Sequence, residues 1–404
     1  MMWWLVLVIP VVSWWPRGRD LHEKRARVVV WTVMVGLLIA RLMPNTWLAA
    51  YTVVFLAGLW RVPSPADRLP LTVTPALLVP AVYVLLAPQV TRAWVAPCLW
   101  SIVACGLMLF AWWAFSLWRG QGHYDWTLTW NGHTLLHLYE HQPVWNGVPK
   151  FCCGQGNENF AQALAGASAA SALGLILLGS HWAYGALLLT SLPLLKIRGH
   201  WWEWPQPSQG WGYLLAIGGA VLVLQAGWIG ALVVGLLVSG GAWYTIVHHR
   251  AHWSGRLEMW AYGWQVWKDM RLTGRLIGAG PESWIHIFQQ DAEHQYERIK
   301  HQTAFATHPH NEFVCELVER GILGLGAMVL YLVTAMLGLW GAGPEGQALF
   351  VLGAMLIACA CVSFPFCLYH EMAFMDRGDV SGHGMPILNV ISMTCVILTE
   401  GVLR

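Results

Sequence analysis

Residues 211–246 read WGYLLAIGGAVLVLQAGWIGALVVGLLVSGGAWYTI, without one charged side chain. A helix needs about 20 apolar residues to cross the hydrocarbon core of a bilayer, so this stretch is long enough for two crossings, 211–226 and 227–246. Working outward, comparable runs occupy 1–15, 28–43, 46–60, 69–88, 95–118, 158–179, 182–195, 321–342, 347–370 and 385–402. The expectation is an all-α polytopic membrane bundle of about twelve transmembrane helices. Composition points the same way. The chain has 404 residues, of which 57% are hydrophobic and 11% charged. A soluble domain carries about 25% charge, so this chain cannot clothe itself in a water-facing surface.

Met1 to Trp15 has no basic leader and no small-residue cleavage site, and is read as a first helix rather than a signal peptide. Tryptophan is abundant, with 28 copies and pairs at Trp3–Trp4, Trp14–Trp15, Trp112–Trp113 and Trp201–Trp202. Indole has an apolar body and one donor, so an interfacial belt explains most of them; stacking on sugar rings is the other use such rings suit. Six of the nine cysteines (Cys98, Cys105, Cys359, Cys361, Cys367, Cys395) fall in apolar spans, and no CxxC pair occurs. Neither a zinc site nor a disulfide framework is expected.

Polar loops fall at 119–157, 196–210 and 247–320, each separated from the next by two spans, so all three open on one side of the membrane. The basic segment Arg17, Arg19, Lys24, Arg25, Arg27 would place that side in the cytoplasm by the positive-inside rule, although a loop as long as 247–320 escapes the rule. Two regions follow: 1–157, with the N-terminal helices and first long loop, and 158–404, which contains the loop 247–320.

That last loop reads as two helices, Ser254 to Arg271 and one starting at Glu312. Ser254 suits an N-cap, with Trp260, Trp264 and Trp267 at i, i+4 and i+7 on one face, toward the membrane surface or the bundle. Arg256 then falls in the first turn, where free backbone N–H groups favour an anion such as phosphate; snorkelling to lipid headgroups is the plainer alternative. Gly278-Ala279-Gly280-Pro281 is a tight turn lacking the context of a nucleotide-binding loop. In His308-Pro309-His310-Asn311, Pro309 holds His308 extended and Asn311 is a plausible N-cap. His310 is thereby placed at a helix start, where a neutral imidazole is a suitable general base; a polar capping loop is the plainer alternative. No third ligand stands at metal spacing. Glu316, Glu319 and Arg320 read as the solvated face of this helix. Gly156-Asn157-Glu158-Asn159 opens an earlier helix with capping residues, and Lys196, Arg198, His200, Trp201 and Trp202 form a basic, aromatic patch suited to headgroups.

Together these pieces resemble the O-antigen ligase and O-antigen polymerase family of bacterial membrane glycosyltransferases. Its hallmark is a histidine followed by Asn, Ser or Gln, nine residues and Gly-x-x-Gly, matched here by His310-Asn311 and Gly321-Ile322-Leu323-Gly324. Arg256…Trp260 resembles the family's arginine–tryptophan helix start, Leu276 to Trp284 its glycine turn, and Asn157-Glu158-Asn159 its upstream Asn-x-Asn element. Leu325 departs from the Thr or Cys frequent in ligases, and Arg198 lacks the serine that precedes the family's other arginine, leaving Lys196 as a rival.

The resemblance implies transfer of a glycan from undecaprenyl diphosphate to an acceptor hydroxyl on the periplasmic side of the bacterial inner membrane, without metal or other cofactor. His310 and Arg256 are the implied catalytic residues. Arg198, Lys196, Asn311, His308, Asn157, Asn159, Gly278 and Gly280 are implied to bind substrate. The implied partners are a lipid-linked oligosaccharide donor, a glycan, lipid A core or protein acceptor, and the bilayer, with no nucleic acid. Surface-polysaccharide polymerisation and protein glycosylation fit the same motifs. A transporter or flippase would instead place ionisable residues inside the spans.

Overall fold

The computed structural model describes residues 42–43, 45–58, 83–119, 124–130, 133–140, 144–145, 148–149, 158–196, 209–248, 250–281, 283–284, 287, 309–362 and 385–404. The expected span 1–15 and most of the spans 28–43 and 69–88 lie outside these residues, as do Asn157, Arg198 and His308. The described chain is built mostly of helices: α1 (Thr46–Gly58), α2 (Val95–Arg119), α3 (Glu158–Leu177), α4 (Ala183–Lys196), α5 (Gln209–His248), α6 (Arg250–Asp269), α7 (Leu272–Ile277), α8 (Glu312–Gly341), α9 (Gly343–Ala360) and α10 (Met385–Leu403). Four stretches are long and apolar enough to cross a membrane among the described residues: Arg92–Phe115, Gln209–Gly240, Glu312–Gly341 and Gly343–Ala360.

The helical expectation holds for the bundle, and among the described residues strands occur only in one polar loop. The first polar loop contains two antiparallel pairs, β1 (Tyr124–Trp130) with β2 (His133–Glu140), and β3 (Val144–Trp145) with β4 (Val148–Pro149). Tyr124, Trp126 and Leu128 alternate with Asp125, Thr127 and Thr129 in sequence, the period-two pattern of a strand. The register sets Trp126 opposite Leu138 and Leu128 opposite Leu136.

The described chain forms two compact units. In the unit holding 89–240, 336–362 and 385–404, α3 is the central helix. Ala163, Ala165, Ala167, Ala169, Ala170 and Ala172 are all buried, and α2, α4 and α9 pack around it. Small side chains let backbones approach closely, the usual basis of helix packing where lipid supplies no hydrophobic drive. Ser168 donates its hydroxyl to the Ile102 carbonyl at 2.9 Å, and Gln162 Oε1 accepts the Gly210 N–H at 2.8 Å.

The opening apolar stretch does fold as two arms. At Gly227 the backbone adopts φ 60 and ψ −135. A Cβ on Gly219 would meet Val234 at 3.1 Å, and one on Gly230 would meet the Leu222 carbonyl at 2.4 Å. In a straight helix those pairs would lie far apart, at about 1.5 Å of rise per residue, so the chain reverses at Gly227. The arms leave Trp228, Ile229, Leu232, Leu236 and Leu237 exposed, the surface a lipid phase would cover. A second reversal sits at Gly343 (φ 82), where α9 starts, with Pro344 in its first turn, four residues earlier than the apolar run alone suggests.

The other unit includes α1, α6, α7 and 309–335, and it carries the candidate site.

Candidate functional site

The site is built on α8 and the turn before it. Asn311 caps α8: its Oδ1 accepts the Val314 N–H at 3.1 Å, while its carbonyl takes the Cys315 N–H at 3.1 Å. The cap expected from sequence is therefore present. His310, immediately before, has φ 50, the only described non-glycine residue in the left-handed region. Such a conformation costs on the order of 1–2 kcal/mol for an ordinary side chain and persists only where its surroundings enforce it. Here the neighbouring helix supplies a restraint, as the Trp260 indole N–H on α6 donates to the Pro309 carbonyl at 2.9 Å.

α6 packs on this region through Met259, Tyr262 and Val266, which with Met270 just after the helix and Val314 surround the buried Trp284 and Val318. Tyr262 meets Trp284 edge-on at 5.9 Å. Gly263 is needed at the crossing, since a Cβ there would lie 2.6 Å from Val314 and 3.0 Å from Trp284. The three tryptophans take two kinds of partner. Trp260 serves the histidine turn, whereas Trp264 and Trp267 stack on each other at 4.9 Å, and Trp267 donates to the Arg275 carbonyl at 3.0 Å.

Two sequence expectations fail here. First, α6 begins at Arg250, so Ser254 is not its cap and Arg256 lies in the second turn. The helix-terminus argument for anion binding at Arg256 lapses with it, because Arg256 lies inside the helix, beyond a first turn. The guanidinium does stand close enough to His310 to act on it. Burial, with the Arg256 charge as second cause, pushes the His310 pKa down to about 4, so the imidazole is neutral at physiological pH.

Second, Glu316, Glu319 and Arg320 are not a solvated face. All three are buried, as is Glu312. Arg320 pairs with Glu316 one turn away, and its guanidinium sits 5.3 Å from the Tyr51 ring and 5.1 Å from that of Phe55, both on α1. The Tyr51 hydroxyl donates to Glu316 at 3.0 Å. Sequence could not show this, because Tyr51 and Glu316 are 265 residues apart. A signal lay in the spacing of Glu312, Glu316 and Arg320, which recur every fourth residue on one helical face.

Glu319 extends this network into the glycine turn. Its Oε1 accepts the Trp284 backbone N–H at 3.3 Å. α8 kinks at Gly321 (φ 65, ψ −169), and the adjacent carbonyls of Val318 and Glu319 take the N–H groups of Ala279 (2.9 Å) and Gly280 (3.0 Å). Gly278 has φ 76, and a Cβ there would lie 2.1 Å from the Glu319 carbonyl. Ala279 and Gly280 thus bind the α8 backbone, and Gly278 packs directly against it.

The structure brings His310, Asn311, Arg256, Gly278 and Gly280 into one unit. Asn159, in the first turn of α3, and Lys196, the last residue of α4, belong to the other.

Compared with known proteins, the chain is similar to the exopolysaccharide production protein ExoQ of Rhizobium meliloti, 30% identical over 130 residues. That match covers 30% of this chain and 29% of ExoQ. No protein-family model and no solved structure matches the chain.

Proposed function

We propose that this membrane protein is a glycosyltransferase that moves a glycan from undecaprenyl diphosphate to an acceptor hydroxyl, with His310 as general base. The observation that carries the reading is a half-buried, neutral imidazole held in a strained turn beside the Arg256 guanidinium. The acceptor oxygen attacks the anomeric carbon, the bond to the diphosphate breaks, and the hydroxyl proton passes to His310. Arg256 holds the diphosphate, bidentately where its fork permits, and stabilises the charge it gains on leaving. A bound diphosphate also offsets the field of Arg256, which raises the basicity of His310 when substrate is present. Arg198 and Lys196 are the further cations proposed for the donor. This chemistry calls for no metal.

Polymerisation of a surface polysaccharide is the second reading, and the exopolysaccharide production protein among the similar sequences favours it. Ligation to lipid A core and transfer to protein use the same chemistry with another acceptor. A transporter is the less economical reading: the buried charges on α8 are engaged with one another, with Tyr51 and with backbone.

The test is His310→Ala in a strain lacking the native gene. Loss of glycan transfer, with normal protein level and normal donor lipid, is expected; full activity sinks the proposal. Arg256→Lys is strongly impaired on the same reading, since lysine cannot fork. The proposed periplasmic orientation is checked by cysteine labelling after Gly120, Pro205 and Gln290. Cytoplasmic positions, which the basic segment 16–27 would favour, refute the mechanism.

A further inference from the structure

We infer that Trp260 is a positioning residue for His310, its indole N–H holding the Pro309 carbonyl so that the histidine keeps its left-handed backbone. The inference rests on His310 being the base. Two observations meet at this point. The Trp260–Pro309 hydrogen bond, at 2.9 Å, grips the residue directly before the histidine. On the other side Asn311 is pinned as the cap of α8. His310 is thus strung between two anchored neighbours, and its φ of 50 is the strain they impose.

The same helix supplies Arg256, one turn before Trp260 and therefore on the same side of α6. A single rigid helix consequently sets both the cation and the direction of the imidazole. Its own seat is fixed by the contacts of Tyr262 and Gly263 with Trp284. Removing the indole N–H leaves that seat intact but frees the turn to relax toward an unstrained φ, swinging the imidazole away from the acceptor.

The experiment compares Trp260→Phe with Trp264→Phe, a change at an exposed tryptophan on the same helix. One readout is transfer from an undecaprenyl-diphosphate-linked glycan. The other is the rate at which diethyl pyrocarbonate modifies His310 at pH 7, followed by peptide mass spectrometry without any donor. Trp260→Phe is expected to lower kcat about tenfold, leave the donor KM within about twofold, and speed His310 modification severalfold, the scale of one lost hydrogen bond. Trp260→His, which returns a ring N–H, regains part of the kcat and slows modification again. Trp264→Phe changes neither. Unchanged His310 modification in Trp260→Phe overturns the inference, with or without a loss of kcat. A rise in donor KM at constant kcat also overturns it, because that is a binding effect. If His310→Ala proves fully active, the functional reading fails on its own, while the labelling experiment still decides whether Trp260 restrains the turn.

Discussion

Arg320→Met cuts the buried network under the site at its only described cation. Arg320 and Glu316 are each 1% exposed at the side chain, so the carboxylate left behind has no access to water. Breaking a buried pair in this way costs about 3–5 kcal/mol. The contacts of the guanidinium with Tyr51 and Phe55 are lost as well, each worth about 1 kcal/mol or more when desolvated. These terms overlap, and about 4 kcal/mol is the expected total. At roughly 2–4 °C per kcal/mol for a unit of 150–250 residues, thermal unfolding of the detergent-solubilised protein should shift downward by on the order of 10 °C. The companion variant Glu316→Leu leaves the cation stranded and should cost a similar amount. The double variant Glu316→Leu/Arg320→Met removes both charges and should recover most of the loss, because an apolar pair of similar volume often matches a buried ion pair. Additive single effects of less than about 1 kcal/mol each would refute the argument, since that is how exposed charges on a solvated face behave.

Gly278→Ala should fail to accumulate as folded protein, because its φ of 76 and the Glu319 carbonyl both exclude a Cβ, whereas Gly326→Ala, with open space around it, should express normally. Arg256→Gln should raise the His310 pKa above about 4 but keep it below its ordinary 6.5, because burial is the larger cause; hydrogen–deuterium exchange at the imidazole carbon, read against pH, measures this, and an unmoved midpoint would refute the coupling. His310 also sets a sign for acid stability. Its folded pKa lies below the unfolded one, so its contribution is whole above pH 6.5 and lost as pH falls toward about 4. At 1.36 kcal/mol per unit this amounts to at most about 3 kcal/mol, and His310→Gln should flatten that part of the acid-unfolding curve. Asn311→Ala should cost about 1 kcal/mol through loss of the cap, read as a lower unfolding temperature.

Much of this protein was legible in its linear order. Apolar runs of bilayer length mark α2, α5 and α10 to within a few residues, because a helix in lipid must satisfy its own backbone and needs no partner to be recognised. The break at Gly227 was readable too, as the point where one run becomes long enough for two crossings. So was the Asn311 cap, since a cap joins residues three positions apart. The β1–β2 pair is also written locally, in the period-two alternation of Tyr124, Trp126 and Leu128 with Asp125, Thr127 and Thr129 inside the first polar loop.

Tertiary structure decided what distant segments do to one another. Glu316, Glu319 and Arg320 look like a water-facing stripe until Tyr51, Phe55 and Trp284 are brought against them from elsewhere in the chain. Nothing in the linear order of the glycine turn shows that Ala279 and Gly280 take the carbonyls beside the Gly321 kink. Arg256 lies inside α6 rather than in its first turn, yet its charge reaches His310. Residue identity sets which chemistry a side chain can perform. Burial and neighbours, which only the folded chain supplies, set whether that side chain faces water, is spent on structure, or stands ready to take a proton.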